Sequence, residues 1–189
     1  MSATLRRPMT LCEFLEWEDR QETKHEFDGF GPVAMTGGSL AHSAIQGNVT
    51  TALNNHLRGE PCRPFGPDAA VEVVGRIRHP DAFVVCPPVP RDGPVRTPVV
   101  VFEVLSPSTA GTDRVVKNRE YEATPSVQRY VIPEHDRVAA TVFARENGDW
   151  IGRLRTGDAM LAMPEIGITV PLAELYADVD LSPADADGA

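Results

Sequence analysis

The sequence predicts a mixed α/β fold, an α+β arrangement in which helices flank a central sheet with strands in both directions. Residues 99–105 form a run of seven in which six are large and apolar, as is typical of a strand buried on both faces between helices. Residues 40–57 carry apolar side chains at helical spacing, which predicts a long amphipathic helix. Shorter extended segments between turn residues predict the remaining strands.

The N-terminal part predicts a short helix followed by a β-hairpin. Thr10 and Glu13 have the spacing of a capping box, so a helix is expected from there to about residue 20. Two glycines divide residues 24–35 into two extended pieces, and Glu26 falls in the first of them. A solvated charge on an edge strand is the simplest interpretation of Glu26, because charged edges are ordinary.

His42 lies near the start of the predicted helix 40–57, which follows a Gly-Gly-Ser turn. The turn is not a phosphate-binding loop, because no Lys-Ser or Lys-Thr pair follows it. His42 is therefore interpreted first as a capping or packing residue, with no metal partner in the local sequence.

The middle of the chain predicts strands interrupted by charged residues. One or two strands are expected over residues 62–74, followed by a basic turn over residues 75–79 that is expected to be solvated, with a phosphate contact as the alternative. Asp81 then heads a short apolar strand that runs to residue 86. Asp81 either terminates a turn or, if its strand pairs with residues 99–105, joins a cluster with Glu103.

Glu103 is the one charged residue within the apolar run. A lone ionised carboxylate there costs roughly several kcal/mol unless it is paired, protonated or bound to a cation. Two carboxylates meeting in a dry crevice repel each other unless a divalent cation lies between them, and oxygen ligands suit Mg²⁺ or Mn²⁺. Asp81 and Glu103 are thus candidate ligands of such an ion.

A helix is expected after residue 112, with Thr112 as its N-cap. Asp113, Lys117 and Tyr121 are spaced by four and share one face of it. Lys117 could reach a carboxylate at the end of the central strand. A surface ion pair between Asp113 and Lys117 is the alternative.

The C-terminal half predicts more strands and a short helix. Strands are expected over residues 127–132, 137–144 and 150–155, extended chain over 159–170, and a helix over 171–176. Residues 10–181 are expected to form a single domain, preceded by a flexible lead-in (1–9) and followed by a disordered acidic tail (182–189).

Composition excludes some classes of function. The formal charge of −9 argues against broad electrostatic binding to nucleic acid, although a local basic groove or metal ions over carboxylates could still bind phosphate. No apolar run is long enough for a membrane span, and no signal peptide is expected. Three widely spaced cysteines fit neither a zinc site nor a disulfide framework, so reduced thiols and a cytoplasmic location are expected.

An ordered set of motifs resembles a known family. The set comprises His-Glu-Phe-Asp-Gly at 25–29, Gly-Gly-Ser before His42, Pro-Asp at 80–81, Glu-Val-Leu-Ser-Pro-Ser-Thr at 103–109, and Asp113, Lys117 and Tyr121. In this order it resembles the Uma-two family, within the PD-(D/E)xK restriction-endonuclease-like superfamily. The resemblance covers most of the chain, roughly residues 10–176.

The resemblance implies a restriction-endonuclease-like fold with a divalent-metal site at the edge of a mixed sheet. It implies that Asp81 and Glu103 are metal ligands and that Glu26 is an accessory acid. The superfamily pattern places a lysine two residues after the glutamate, where this chain has Leu105. The basic role would then pass to Lys117, on the following helix. A homodimer is a further implication of the superfamily.

The function expected from this set is Mg²⁺- or Mn²⁺-dependent cleavage of DNA, with Asp81, Glu103, Lys117 and Glu26 as catalytic residues. The acidic balance and Leu105 motivate an alternative, a DNA- or protein-binding module without catalysis. Hydrolysis of a small phosphoester is a third, weaker interpretation.

Overall fold

The chain forms a small sheet and a larger one. It leaves the small sheet at Arg78 and enters the larger one again at Ala82. A computed structural model describes residues 7–35, 37–105 and 111–181, except for the side chains of residues 112–114. Its elements in chain order are α1 (Leu11–Glu18), β1 (His25–Phe27), β2 (Pro32–Ala34), α2 (Leu40–His56), β3 (Arg63–Phe65), β4 (Val71–Val73), β5 (Arg76–Arg78), β6 (Ala82–Val85), β7 (Pro98–Phe102), a π-helical segment (Thr112–Lys117), α3 (Asn118–Glu122), β8 (Arg129–Pro133), β9 (Ala139–Glu146), β10 (Asp149–Thr156), β11 (Met160–Met163), a 3₁₀ turn (Pro164–Ile166), β12 (Ile168–Pro171) and a second 3₁₀ turn (Leu172–Tyr176).

The large sheet is mixed, as the sequence predicts. Its strand order is β10-β9-β8-β7-β6-β3, in which β7 and β8 are parallel and the other neighbours antiparallel. Regular pairing of β7 ends at Phe102. The hydrogen bonds to β8 continue further, since Glu103 N donates to Val131 O (3.1 Å) and Leu105 N donates to Pro133 O (2.8 Å). The central strand therefore extends effectively to residue 105.

Both faces of β7 are covered, which explains why its sequence is apolar throughout. On one face, α2 contributes Ile45, Val49 and Leu53 to a core shared with Val100 and Phe102. On the other face, Tyr121 of α3 and Tyr130 of β8 belong to a second cluster. This cluster also contains Phe83, Val101 and Leu105. Helices on both faces fit the predicted fold class.

The small sheet has the order β2-β1-β5-β4, with all neighbours antiparallel. The predicted capping box of α1 is present: Thr10 N donates to Glu13 Oε2 (2.7 Å), and Glu13 N donates to Thr10 Oγ1 (3.2 Å). Phe14 of α1 stacks on Phe27 of β1, with ring centroids 5.0 Å apart. This stack joins α1 to the strand that carries Glu26.

The expected solvated basic turn over residues 75–79 is wrong. Arg76–Arg78 is strand β5, and Arg78 is only 3 % exposed. A two-residue link of Val74 and Gly75, with φ of 43° and 76°, joins β4 to β5. Arg78 shares one face of this short strand with the partly exposed Arg76, and its ion pairs with Glu26 and Glu120 stabilise it in its buried position.

The expectation of reduced thiols is also wrong for two of the three cysteines. Cys62 and Cys86 form a disulfide, with Cα atoms 4.1 Å apart, while Cys12 is free and exposed. Cys62 immediately precedes β3 and Cys86 immediately follows β6, and these two strands are antiparallel neighbours. Strand pairing thus brings together two cysteines that lie 24 residues apart in the sequence.

The helix expected after residue 112 begins at Thr112, with Gly111 and not Thr112 as its N-cap. It starts as a π-helical segment and becomes α-helical only at α3. The side chain of Asp113 and residues 1–6, 106–109 and 182–189 lie outside the described parts of the chain, and so do the predictions made for them. Within the parts described, no helix is long and apolar enough to cross a membrane.

Candidate active site

Asp81 immediately precedes β6, at the end of the inner strands of the large sheet, and lies between β7 and α2. It is one residue beyond the Ala82–Phe102 pair, so it is placed opposite Glu103 in the antiparallel register. Its Oδ2 accepts a hydrogen bond of 2.7 Å from Val104 N, and its Oδ1 accepts one of 2.8 Å from Gln46 Nε2. The two candidate metal ligands are therefore neighbours at one edge of the sheet.

Glu103 is 5 % exposed and faces the segment that follows it in the sequence. Its Oε1 accepts hydrogen bonds from Lys117 Nζ and from the Tyr121 hydroxyl, both at 2.9 Å. Two effects raise the pKa of Tyr121 well above its ordinary value: burial, which is the larger, and the negative charge of Glu103. Tyr121 therefore stays protonated and acts as a hydrogen-bond donor to Glu103.

Glu26 is not a solvated edge charge, since its side chain is 12 % exposed. Its Oε1 lies 3.2 Å from Lys117 Nζ and accepts a hydrogen bond of 3.2 Å from His79 N. Its Oε2 lies 2.9 Å from Arg78 Nη1. Burial favours the neutral acid, but Lys117 and Arg78 outweigh it, so the pKa of Glu26 is below its ordinary value.

Lys117 is likewise buried, and the alternative of an ion pair with Asp113 lies outside the described side chains. Its side chain is 9 % exposed and lies between Glu103 and Glu26. Leu105, two residues after Glu103, is 5 % exposed and packs in the apolar cluster with Tyr121 and Tyr130. The ammonium group beside Glu103 thus comes from the helical segment and not from the strand.

Arg78 and Glu120 form a buried pair that the sequence did not predict. Nε and Nη2 of Arg78 donate to the two carboxylate oxygens of Glu120, each at 2.7 Å. Both side chains are 4 % exposed. Burial lowers the pKa of Arg78, but the bonds to Glu120 and the charge of Glu26 raise it by more, so Arg78 stays charged.

His42 and Gln46 are the other residues that sequence reasoning did not assign to the site. His42 Nε2 lies 3.4 Å from Asp81 Oδ2, so the residue interpreted as a packing histidine has an acidic neighbour. A Cβ on Gly38 would lie 2.6 Å from His42 Nδ1, which leaves only glycine compatible with this position of the ring. The spacing of His42 and Gln46 by four on one helix was the available signal.

We define the acidic cluster as Glu26, Arg78, Asp81, Glu103, Lys117 and Glu120. Four carboxylates and two cations give it a formal charge of −2, and Arg76, 3.4 Å from Glu120 on the solvent side, reduces this only to −1. A buried excess of negative charge is stabilised by a cation. A protonated His42, 3.4 Å from Asp81 Oδ2, would cancel the remaining charge, so the charge of the acidic cluster fits a divalent ion only with a neutral His42.

No group of three or more His, Cys, Asp or Glu side chains with the arrangement of a metal site occurs among the residues that the structure describes. A two-carboxylate site still fits Mg²⁺, because this ion keeps several waters and commonly binds through one or two carboxylates together with substrate phosphates. Asp81 and Glu103 are such a pair.

Comparisons with known proteins find a family, a relative and a similar fold. Residues 11–173 match the model of the Uma2 family, described as "Putative restriction endonuclease". An uncharacterized protein of Synechocystis sp. is 33% identical over 169 residues, which are 87% of this chain and 89% of that protein. A crystal structure from Anabaena variabilis, of a putative nuclease belonging to DUF820, is similar with a TM-score of 0.72 at 20% identity, covering 90% of this chain and 98% of that one.

Proposed function

Because the chain belongs to the Uma2 family of putative restriction endonucleases, we propose that it is a divalent-metal-dependent endonuclease that hydrolyses phosphodiester bonds in DNA. The observation that carries the proposal is the contact between Lys117 and Glu103, at 2.9 Å, beside Asp81 at the edge of the sheet. Two carboxylates and one ammonium group at a single site are the residue types that this chemistry requires.

Asp81 and Glu103 would hold Mg²⁺ or Mn²⁺. When bound, such an ion lowers the pKa of its water and polarises a phosphoryl oxygen, which supplies both a nucleophile and a sink for negative charge. Val104 N and Gln46 fix the orientation of the Asp81 carboxylate through hydrogen bonds of 2.7 and 2.8 Å. Tyr121 and Lys117 do the same for Glu103.

Lys117 is the residue proposed to orient the attacking water or to neutralise the charge that develops on the phosphate. Glu26 acts as the accessory acid by holding Lys117 Nζ at 3.2 Å from its Oε1. Arg78 keeps Glu26 ionised and in place. The accessory carboxylate thus preorganises the lysine, so that less reorganisation is needed during the reaction.

The experiment that tests the proposal is cleavage of supercoiled plasmid and of a labelled duplex by the purified chain, with Mg²⁺ or Mn²⁺ and with EDTA. Metal-dependent cleavage that Glu103→Gln removes and Glu72→Gln leaves unchanged supports it. Glu72 is the matched control because it pairs with the exposed Arg96. Absence of cleavage with either metal, or equal cleavage by Glu103→Gln, overturns the proposal.

A binding module without catalysis is the second candidate, and the buried, apolar Leu105 favours it. Calorimetric titration with Mn²⁺ separates the two candidates. Uptake that Asp81→Asn abolishes supports the nuclease. If there is no uptake and DNA is bound intact, the binding module is supported.

DNA is the partner proposed for the nuclease, since a restriction endonuclease acts on it, and DNA or a protein is the partner of the binding module. Association into a homodimer and a cytoplasmic location stay predictions, and the Cys62–Cys86 disulfide removes two of the three reduced thiols from which the second was inferred. Sedimentation equilibrium of the purified chain tests the first, and fractionation of cells that express it tests the second.

A further inference from the structure

A groove beside the acidic cluster is lined by exposed valines and by arginines. It has a volume of about 420 Å³ and is lined by Val74, Arg76, Val115, Val116, Arg119, Glu120 and Ala123. Three of its valines are 45–51 % exposed. Side chains of this size are usually buried, so an exposed group of them next to two arginines indicates a contact surface.

Val74 is the most unusual residue of the groove. It has φ of 43° in the two-residue link between β4 and β5, a backbone region that β-branched residues avoid and that Asn or Gly prefers in such links. Packing does not require valine here, because the side chain is 47 % exposed. Residues kept in strained conformations tend to occur at functional sites.

The groove shares Glu120 with the acidic cluster. Val115 and Val116 directly precede Lys117, and Glu120 at the floor of the groove binds Arg78 of the acidic cluster. Arg76 is fixed at the rim, since its Nε donates to Asp28 O at 2.8 Å. A nucleic-acid strand with its scissile phosphate at Lys117 has to pass over an adjoining surface, and this groove adjoins it.

The charges of the lining favour phosphate. Glu120 is 4 % exposed and is held by Arg78, and Arg76, whose side chain is 37 % exposed, lies 3.4 Å from Glu120. Arg119 therefore carries the positive charge of the lining that Glu120 does not offset. Arginine binds phosphate through paired hydrogen bonds, and aliphatic side chains can contact the sugar beside it. A second copy of the chain fits less well, because a stable interface needs roughly 800 Å² from each partner and three valines offer far less.

We infer that this groove binds the DNA strand that flanks the scissile phosphate, with Arg76 and Arg119 on the phosphates and the three valines against the sugars. The inference rests on the proposed function and adds the path of the substrate. It would place the phosphates of DNA beside a local positive charge on a chain that is acidic overall.

The test measures fluorescence anisotropy of a labelled 20-base-pair duplex, and of one of its strands, with the full chain in EDTA. Arg119→Ala is expected to weaken binding about tenfold and to reduce the slope of log K against log salt by about 0.9, the value for one phosphate contact. Arg155→Ala is the matched control, since Arg155 lines a different cavity with Val131 and Val142 on the opposite face of the sheet. It should leave both quantities unchanged.

Val74→Asn provides a second measurement that a purely structural role would not predict. Asparagine suits the positive φ, so the Tm should be equal to or higher than that of the native chain. DNA affinity should nevertheless fall severalfold. A higher Tm with undiminished affinity overturns the role of Val74.

Failure of the inference is distinguishable from failure of the proposed function. If the native chain binds and cuts DNA but Arg119→Ala and Val74→Asn match it, the groove proposal is wrong and the nuclease stands. If the native chain neither binds nor cuts DNA, both are wrong. If the two variants change self-association in sedimentation and not DNA affinity, the occupant is a second copy and the inference is overturned.

Discussion

Lys117 Nζ lies 2.9 Å from Glu103 Oε1 and 3.2 Å from Glu26 Oε1. One ammonium group therefore joins the central strand of the large sheet to the small sheet, and it does so beside the carboxylates proposed to bind metal. The side chain is 9 % exposed, so its charge acts in a medium that screens it poorly.

Replacing Lys117 by methionine removes the ammonium group with little change in side-chain volume, and this should strongly reduce cleavage. We expect Lys117→Met to lower the cleavage rate by roughly 10²–10³, the range for loss of one preorganised charged donor, and Lys117→Arg to retain part of the activity. Plasmid nicking in Mn²⁺ measures this, with Lys24→Met as control because Lys24 pairs with the fully exposed side chain of Asp68. Native rates for Lys117→Met would exclude a catalytic role for this residue.

Glu26 should make stability depend on acid pH. Its pKa in the folded chain is below the ordinary value of 4.5, so its contribution to stability is complete above that pH and is lost as the pH falls through the lowered pKa. We expect Glu26→Gln to be less stable than the native chain at pH 7, with a smaller loss of Tm between about pH 5 and pH 3. Parallel Tm curves for the two proteins would contradict this.

Arg78 should be among the most sensitive positions for stability. Arg78→Met leaves Glu26 and Glu120 buried without their shared cation, which should cost about 3–5 kcal/mol in the free energy of unfolding. Arg96→Met, which breaks an ion pair in which the arginine side chain is 72 % exposed, should change it by about 0–1 kcal/mol. Urea denaturation at pH 7 compares them, and equal losses would argue against a special role for the buried pair.

Gln46 should act on metal affinity through Asp81. Gln46→Ala removes the donor at 2.8 Å from Asp81 Oδ1, and loss of such a supporting bond typically lowers metal affinity 10–100-fold. Calorimetric titration with Mn²⁺ measures the effect. Asn54→Ala is the control on the same helix, since Asn54 donates only to Thr50 O in the bonds described for it. If both variants bind Mn²⁺ like the native chain, Gln46 does not position the ligand.

The local features of the fold were predictable because each depends on residues close together in the chain. The capping box at Thr10, the amphipathic pattern of α2 and the apolar run of β7 all follow from spacing. The burial of Arg78 was not predictable in this way, because Arg76–Arg78 is too short for alternation to show which face is covered. Its carboxylate partners come from 52 and 42 residues away.

The sequence by itself determined the mixed fold, its family and the presence of carboxylates at positions 81 and 103 within apolar strands. Tertiary structure alone decided that Lys117 meets Glu103 and Glu26, that Gln46 supports Asp81, and that Cys62 bonds to Cys86. The physical reason is that sequence periodicity records which face of an element is apolar. The partner of a buried charge depends instead on how distant elements pack, and the low dielectric of the interior makes that choice decisive.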